Sequence, residues 1–167
     1  EEIVFAGEDM GFSGYPMFNT AEEVGDAEAK AGFNVILHAT NHTMDKWKKG
    51  LLNTINFWKK YPDIMVLGVN ETKEQQDQIT VFEKNGMKIA LLNYTYGLNG
   101  MPQPDDMPFA VNLIDADLMD RNIKKAHEEA DFVVVLIHWG NEYQTFASSD
   151  QKFWCNWFLE RDVDLII

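Results

Sequence analysis

Residues 33–45, FNVILHATNHTMD, constrain the fold of this chain more than any other stretch. The run Phe33-Asn34-Val35-Ile36-Leu37 is entered through Gly32 and is apolar enough to read as a buried strand. It stops abruptly at a small polar cluster, Thr40-Asn41-His42-Thr43. In open α/β sheets the carboxyl edge of the strands is where ligands bind. An amide oxygen and an imidazole are both metal ligands, so Asn41 and His42 are candidates for a metal or phosphate site. The same pair also reads as turn chemistry followed by helix capping.

A second strand of the same kind, Phe132-Val133-Val134-Val135-Leu136-Ile137, ends in His138-Trp139-Gly140. If the two strands point the same way in one sheet, Asn41, His42 and His138 converge at its carboxyl edge. Between and around them the chain alternates helix and strand. Thr20-Ala21-Glu22-Glu23 has the form of a capping box and predicts a helix burying Val24, Ala27 and Ala31, stopped at Gly32. Asp45 stands where a second helix should begin, over roughly 46–60, with Leu51, Ile55 and Trp58 on one face. Residues 3–7 and 64–69 read as short strands, and 8–19 and 70–77 as loops. Asn85-Gly86 between two β-prone runs predicts a hairpin over 78–93. Residues 97–110, with two glycines and three prolines, form a long loop of the kind that is often functional. Asp115 caps a helix to about 129, Ser149 caps another that buries Phe153, Trp154, Trp157 and Phe158, and 163–167 is a last strand. Near-continuous apolar strands between helices argue for an α/β fold buried on both sheet faces, and the hairpin makes the sheet mixed.

Composition narrows the function. The chain has 167 residues, which fits one domain, and a net charge of −13. That charge opposes binding to nucleic acid or to an anionic membrane. Arg121 and Arg161 are the only arginines, so a metal would have to supply the positive charge for an anionic substrate. A single cysteine, Cys155, excludes an internal disulfide. No run approaches the roughly 18 apolar residues of a membrane span. Nucleophile elbow, P-loop, dinucleotide fingerprint and Cys-x-x-Cys patterns are all missing, which leaves metal chemistry as the main enzymatic option. Both ends read as cut, because the chain opens without methionine and closes on an apolar strand.

Around the candidate ligands, Asp45 serves either as a helix cap or as a carboxylate orienting His42. Glu142 either lines the site or is a solvated loop acid. Tyr94, Tyr96 and the 97–110 loop are placed to shape a cleft. His38 lies within its strand and reads as structural, and His127 suits the negative end of its helix.

Taken together, SGYPMFNTAEEVGDAEAKAGFNVILHATNHTMDKWKKGLLNTINFW, then LLNYTYG after the Asn-Gly turn, then DFVVVLIHWGNEY and DLII, resemble the bacterial capsule-synthesis proteins of the CapA/PgsA type that serve poly-γ-glutamate production. The resemblance implies a calcineurin-like metallophosphoesterase fold, a mixed β-sheet sandwich flanked by helices, as a single domain over 1–167. It implies metal ligation by Asn41, His42 and His138, with His42, His138 and Asp45 as the catalytic group and Glu142, Tyr94 and Tyr96 against substrate. It further implies divalent metal ions, two in number, of the Mn, Zn, Fe or Mg kind. The substrate would be an anionic polymer or a phosphoester, the partners other capsule-synthesis membrane proteins, and the place the outer face of a bacterial membrane. The family's early Asp strand and its Gly-x-His-Pro-His segment would fall before Glu1 and after Ile167, and Glu1 or Glu2 would be its Asn-x-Glu carboxylate. A non-catalytic assembly or export component is the alternative that the same resemblance allows.

Overall fold

The computed structural model describes residues 4–167; Glu1 and Glu2 lie outside the described residues. Two strands set the architecture. β4 (Met87–Thr95) and β5 (Phe132–His138) run parallel in register, from Ile89 opposite Phe132 to Thr95 opposite His138. Both are apolar on both faces, as central strands covered on two sides must be. On one face Ala90, Leu92, Tyr94, Val133, Val135 and Ile137 pack against the helices α4 (Ala116–Glu129) and α5 (Ser149–Leu159). On the other, Leu91 and Val134 meet Leu67 of a second sheet. Each large apolar side chain of this kind contributes about 1.5–3 kcal/mol on burial, so an unpaired polar atom on either face is costly.

The larger sheet has the order β3-β4-β5-β6, with β3 (Thr80–Lys84) antiparallel and β6 (Leu165–Ile166) parallel. The hairpin turns at Asn85 and Gly86, both with positive φ (54° and 79°), the conformation that makes Asn-Gly the favoured pair there. The smaller sheet pairs β1 (Val35–Leu37) with β2 (Met65–Leu67) in parallel. Its outer face is covered by α2 (Trp47–Trp58) through Ile36, Phe57 and Trp58, together with Phe5. The result is a mixed α/β architecture, as the strand pattern predicts, arranged as the helix-flanked sandwich that the family resemblance implies. The two histidine-bearing strands, however, belong to different sheets rather than to one.

Several local expectations are corrected. Residues 4–7 form no strand; Phe5 and Ala6 donate their N–H groups to the side chains of Thr54 and Asn19. The Thr20 capping box does not form, because Ala21 is the N-cap of α1 (Glu22–Ala31) and the Thr20 N–H bonds to Val4 instead. The helix also turns the opposite face inward. Val24, Ala27 and Ala31 are exposed, and Gly25 is buried where a Cβ would fall 2.4 Å from the Phe57 ring. Close approach to an aromatic ring overrides the apolar stripe here. The 70–77 segment holds a four-residue helix, α3 (Lys73–Gln76), capped by Thr72. A capping box does occur at Ser148 and Gln151, one residue before the expected cap of α5. In that helix Phe158 is fully buried, while Phe153 stays on the surface. At α4 the prediction holds in detail, with Asp115 accepting from the Leu118 N–H at 2.8 Å and Met119, Ile123 and Ala126 inside.

Candidate functional site

The site grows from the end of β1. After Leu37 the chain cannot continue as strand, because His38 and Ala39 turn their N–H groups to different partners. The His38 N–H bonds to Leu67 of β2, and the Ala39 N–H to the Asn93 side chain of β4. Asn93 is an amide inside an otherwise apolar run, buried and bonded at both its oxygen and its nitrogen. Its oxygen takes the Ala39 N–H at 2.8 Å and its nitrogen donates to the Leu136 carbonyl of β5 at 2.9 Å. One side chain thereby holds the carboxyl ends of β1 and β5 together, although the strands lie in separate sheets. Gly68 passes beside it with φ 88° and space for no Cβ, which would sit 2.3 Å from the Asn93 oxygen.

From that junction the loop 40–46 is folded by its own hydroxyls. Thr43 Oγ1 donates back to the loop carbonyls of His38 and Thr40 and accepts the Thr40 N–H, and Thr40 Oγ1 takes the His42 N–H at 3.2 Å. These bonds present Asn41 and His42 side by side. Asn41 Oδ1 lies 3.0 Å from His138 Nε2, and Asn41 Nδ2 donates to Asn99 Oδ1 at 3.1 Å. The expected convergence of Asn41 with His138 is therefore realised, across the sheet junction rather than within one sheet.

Asp45 is not a helix cap. α2 starts at Trp47 with Lys46 before it and no side-chain cap. The Asp45 carboxylate, buried, instead takes the Phe18 N–H at 2.7 Å and meets His42 Nδ1 at 2.8 Å. With Nδ1 held by the carboxylate, Nε2 is the nitrogen of His42 open to a metal or a proton. The Phe18 ring packs edge-on against the imidazole and fixes its plane.

The other expected residues are dispersed. Tyr96 stacks on the His138 ring, 6.0 Å between centroids and 19° between planes. It opens onto a recess of about 330 Å³ whose walls include Trp139, Gln151 and Trp154. Glu142 lies in the exposed loop that follows His138. Tyr94 is not brought to this place. It is fully buried on the α4 side of β4, where burial pushes its hydroxyl well above the usual tyrosine range. His38 is also inside. Its Nε2 accepts from the Trp58 indole at 2.6 Å, and burial drops its pKa to about 3, so it is a neutral structural histidine, as its place within the strand suggests. His127 bonds to the Arg161 carbonyl at 2.9 Å at the protein surface. Arg161 is itself committed to Asp120 and to the face of Trp157.

Asn93 and Asn99 are the residues that sequence reasoning missed. Asn93 carried a usable signal, since a polar side chain in a two-faced buried strand needs partners. Asn99 carried none beyond its Asn-Gly turn.

The donor chemistry fits a divalent ion in part. Two ligands about 2.1 Å from one ion and at right angles would stand about 3 Å apart, which is the separation of Asn41 Oδ1 and His138 Nε2. Among the described residues no three His, Cys, Asp or Glu side chains cluster as a complete ligand set.

Comparison with known proteins agrees with this architecture. The chain is 30% identical over 151 residues to the capsule biosynthesis protein CapA of Bacillus anthracis, covering 87% of this chain and 36% of that protein. It is 29% identical over 137 residues to the PGA biosynthesis protein CapA of Bacillus subtilis strain 168, covering 81% and 36%. The chain thus spans about a third of the length of these relatives. Among solved structures, a candidate 5'-nucleotidase from Staphylococcus aureus in complex with alpha-ketoglutarate superposes with a TM-score of 0.52 at 13% identity, over 90% of this chain and 34% of that one. That likeness is one of fold, a mixed-sheet sandwich flanked by helices. No helix among the described residues is long and apolar enough to cross a membrane. The family described as bacterial capsule synthesis protein PGA_cap matches residues 1–167, and the chain belongs to it.

Proposed function

We propose that the junction of Asn41, His42 and His138 is the middle of a divalent-metal centre, and that the whole protein uses it on a phosphoester or an anionic polymer in capsule formation. The observation that carries this reading is the 3.0 Å approach of Asn41 Oδ1 to His138 Nε2 at the joined ends of β1 and β5. Asn41 and His138 would hold the ion, with His42 beside them. When bound, such an ion lowers the pKa of a coordinated water towards ~7 and stabilises developing negative charge. The protein's own part is positional. Asp45 fixes the tautomer of His42 so that Nε2 is free to bind or pass a proton. Tyr96 stiffens the His138 ring by stacking. The recess beside Tyr96 and the Glu142 loop supply the substrate-facing wall. With net charge −13 and no arginine at the junction, an anionic substrate finds its positive charge in the metal.

Work at the outer face of a bacterial membrane, alongside other capsule-synthesis membrane proteins, belongs to the same reading and rests on the relatives. A second reading, a non-catalytic assembly or export component that keeps the fold, is favoured by the incomplete ligand set among the described residues. Elemental analysis of the full-length protein and its His42→Ala variant, with turnover of a model phosphodiester, separates the two. Divalent metal lost in the variant, with turnover, supports the catalytic reading. A metal-free or inert full-length protein removes it.

A further inference from the structure

An amide side chain has two ends, and only its oxygen can hold a divalent ion. His138 alone does not decide which end of Asn41 it meets, because an imidazole nitrogen donates in one tautomer and accepts in the other. Asn41 is buried, 7% exposed, so its NH2 group also needs an acceptor inside the protein. Asn99 supplies it. Asn41 Nδ2 donates to Asn99 Oδ1 at 3.1 Å, which leaves Asn41 Oδ1 at 3.0 Å from His138 Nε2. The orientation of Asn99 is set in turn from its other end, where its Nδ2 lies 3.5 Å from His42 Nδ1. The Asp45 carboxylate is bonded to that same nitrogen at 2.8 Å, and its negative charge favours an NH2 over an oxygen at this end of Asn99.

The backbone delivers Asn99 to this place in a conformation that few residue types accept. Asn99 and Gly100 both have positive φ (51° and 79°), and the Met101 N–H closes the turn on the Leu98 carbonyl at 2.9 Å. Asparagine is among the few residues with a side chain that enter the left-handed region readily. Leu98 is buried in the same apolar cluster as Met44, so the turn is seated on the loop that carries Asn41 and His42. We infer that Asn99 is a positioning residue, which locks the Asn41 amide with its oxygen, and not its nitrogen, turned to the place that His138 Nε2 also faces. The inference rests on the reading of that junction as a metal centre. Asn99 acts there through Asn41 and is not itself a ligand.

The test titrates Mn²⁺ and, separately, Zn²⁺ into the metal-stripped full-length protein and its Asn99→Gly and Asn99→Asp variants. The side-chain NH2 signal of Asn41 is followed by NMR in the metal-free state of each. Glycine keeps the positive φ and deletes the amide, whereas aspartate tolerates that φ and keeps an acceptor for Asn41, so the turn survives in both. Asn99→Gly should weaken metal binding by roughly 10- to 100-fold, the usual effect of losing a group that orients a ligand. It should also shift the Asn41 signal, and Asn99→Asp should recover both. Native protein that binds metal no more tightly than Asn99→Gly overturns the inference and leaves the metal reading standing. An Asn41 signal unmoved in Asn99→Gly overturns it as well. So does Asn99→Asp recovering affinity without the signal, since charge alone would then be the cause. Native protein that binds neither ion removes the metal reading and this inference with it.

Discussion

Asn41 and His138 are 97 residues apart in the chain, and their side chains meet at 3.0 Å. The contact joins a loop of the smaller sheet to the last residue of a central strand in the larger one. Removing either partner should do more than delete one bond. Asn41→Ala deletes the contact to His138 Nε2 and the hydrogen bond to Asn99 Oδ1 together, at a cost of about 1–3 kcal/mol. Urea unfolding of the variant should show the loss, and bound divalent metal in the full-length protein should fall with it.

Asp45 offers a cleaner separation of roles. Asp45→Asn keeps an oxygen for the Phe18 N–H but presents an uncharged group to His42 Nδ1. Stability should drop by about 1 kcal/mol, whereas Asp45→Ala, which strands both partners, should cost about 2–3 kcal/mol. Side-chain NMR of His42 should show a fixed tautomer in the native protein and tautomer exchange in both variants.

The buried His38 makes stability depend on pH in a defined direction. Its pKa is held near 3 by burial, against 6.5 for an exposed histidine. The unfolded chain therefore binds the extra proton first as pH falls. The His38 contribution is fully present above pH 6.5 and is lost progressively as pH falls towards 3, by up to about 1.4 kcal/mol per pH unit. Comparing urea midpoints at neutral and mildly acidic pH for the native protein and His38→Gln checks this. The variant keeps an acceptor for Trp58 and should lose that part of the pH slope.

Gly68 should be the least replaceable glycine near the site. A Cβ there falls 2.3 Å from the Asn93 oxygen and 2.5 Å from the Ala39 N–H nitrogen, on a backbone at φ 88°. Gly68→Ala should cost about 3 kcal/mol or more through strain and overpacking combined. Thermal unfolding measures the cost, and a full-length variant with normal stability would show that the packing around Asn93 yields more than its geometry implies.

Strand patterning and turn chemistry made most of the fold legible. The continuous apolar run 132–137, the Asn85-Gly86 turn and the Asp115 cap each express a short-range physical preference, and each appears where the residues put it. The misses share a different cause. α1 is oriented by a glycine fitting under Phe57 from another helix, not by its own apolar spacing. Asp45 has the right identity for a cap, but a backbone N–H from Phe18 and the ring of His42 compete for its oxygen and win. Tyr94 follows the strand alternation to the helix side, whereas Tyr96, two residues on, leaves the strand and reaches His138. In the site, histidines and an Asn-His pair announced themselves by type. The residues that bring them together, Asn93 and Asn99, are silent until the chain is folded, because their partners are remote in sequence.

The bridge made by Asn93 has a mechanical consequence. Its two hydrogen bonds place Asn41 and His42 on one layer of the sandwich and His138 on the other, so the site straddles a seam. A ligand gripping both sides acts as a clasp across that seam. Tightness of binding and resistance of the two layers to sliding apart then become one quantity seen from two directions. A substitution deep in the seam, touching nothing that binds, would loosen the grip as surely as the loss of a ligand.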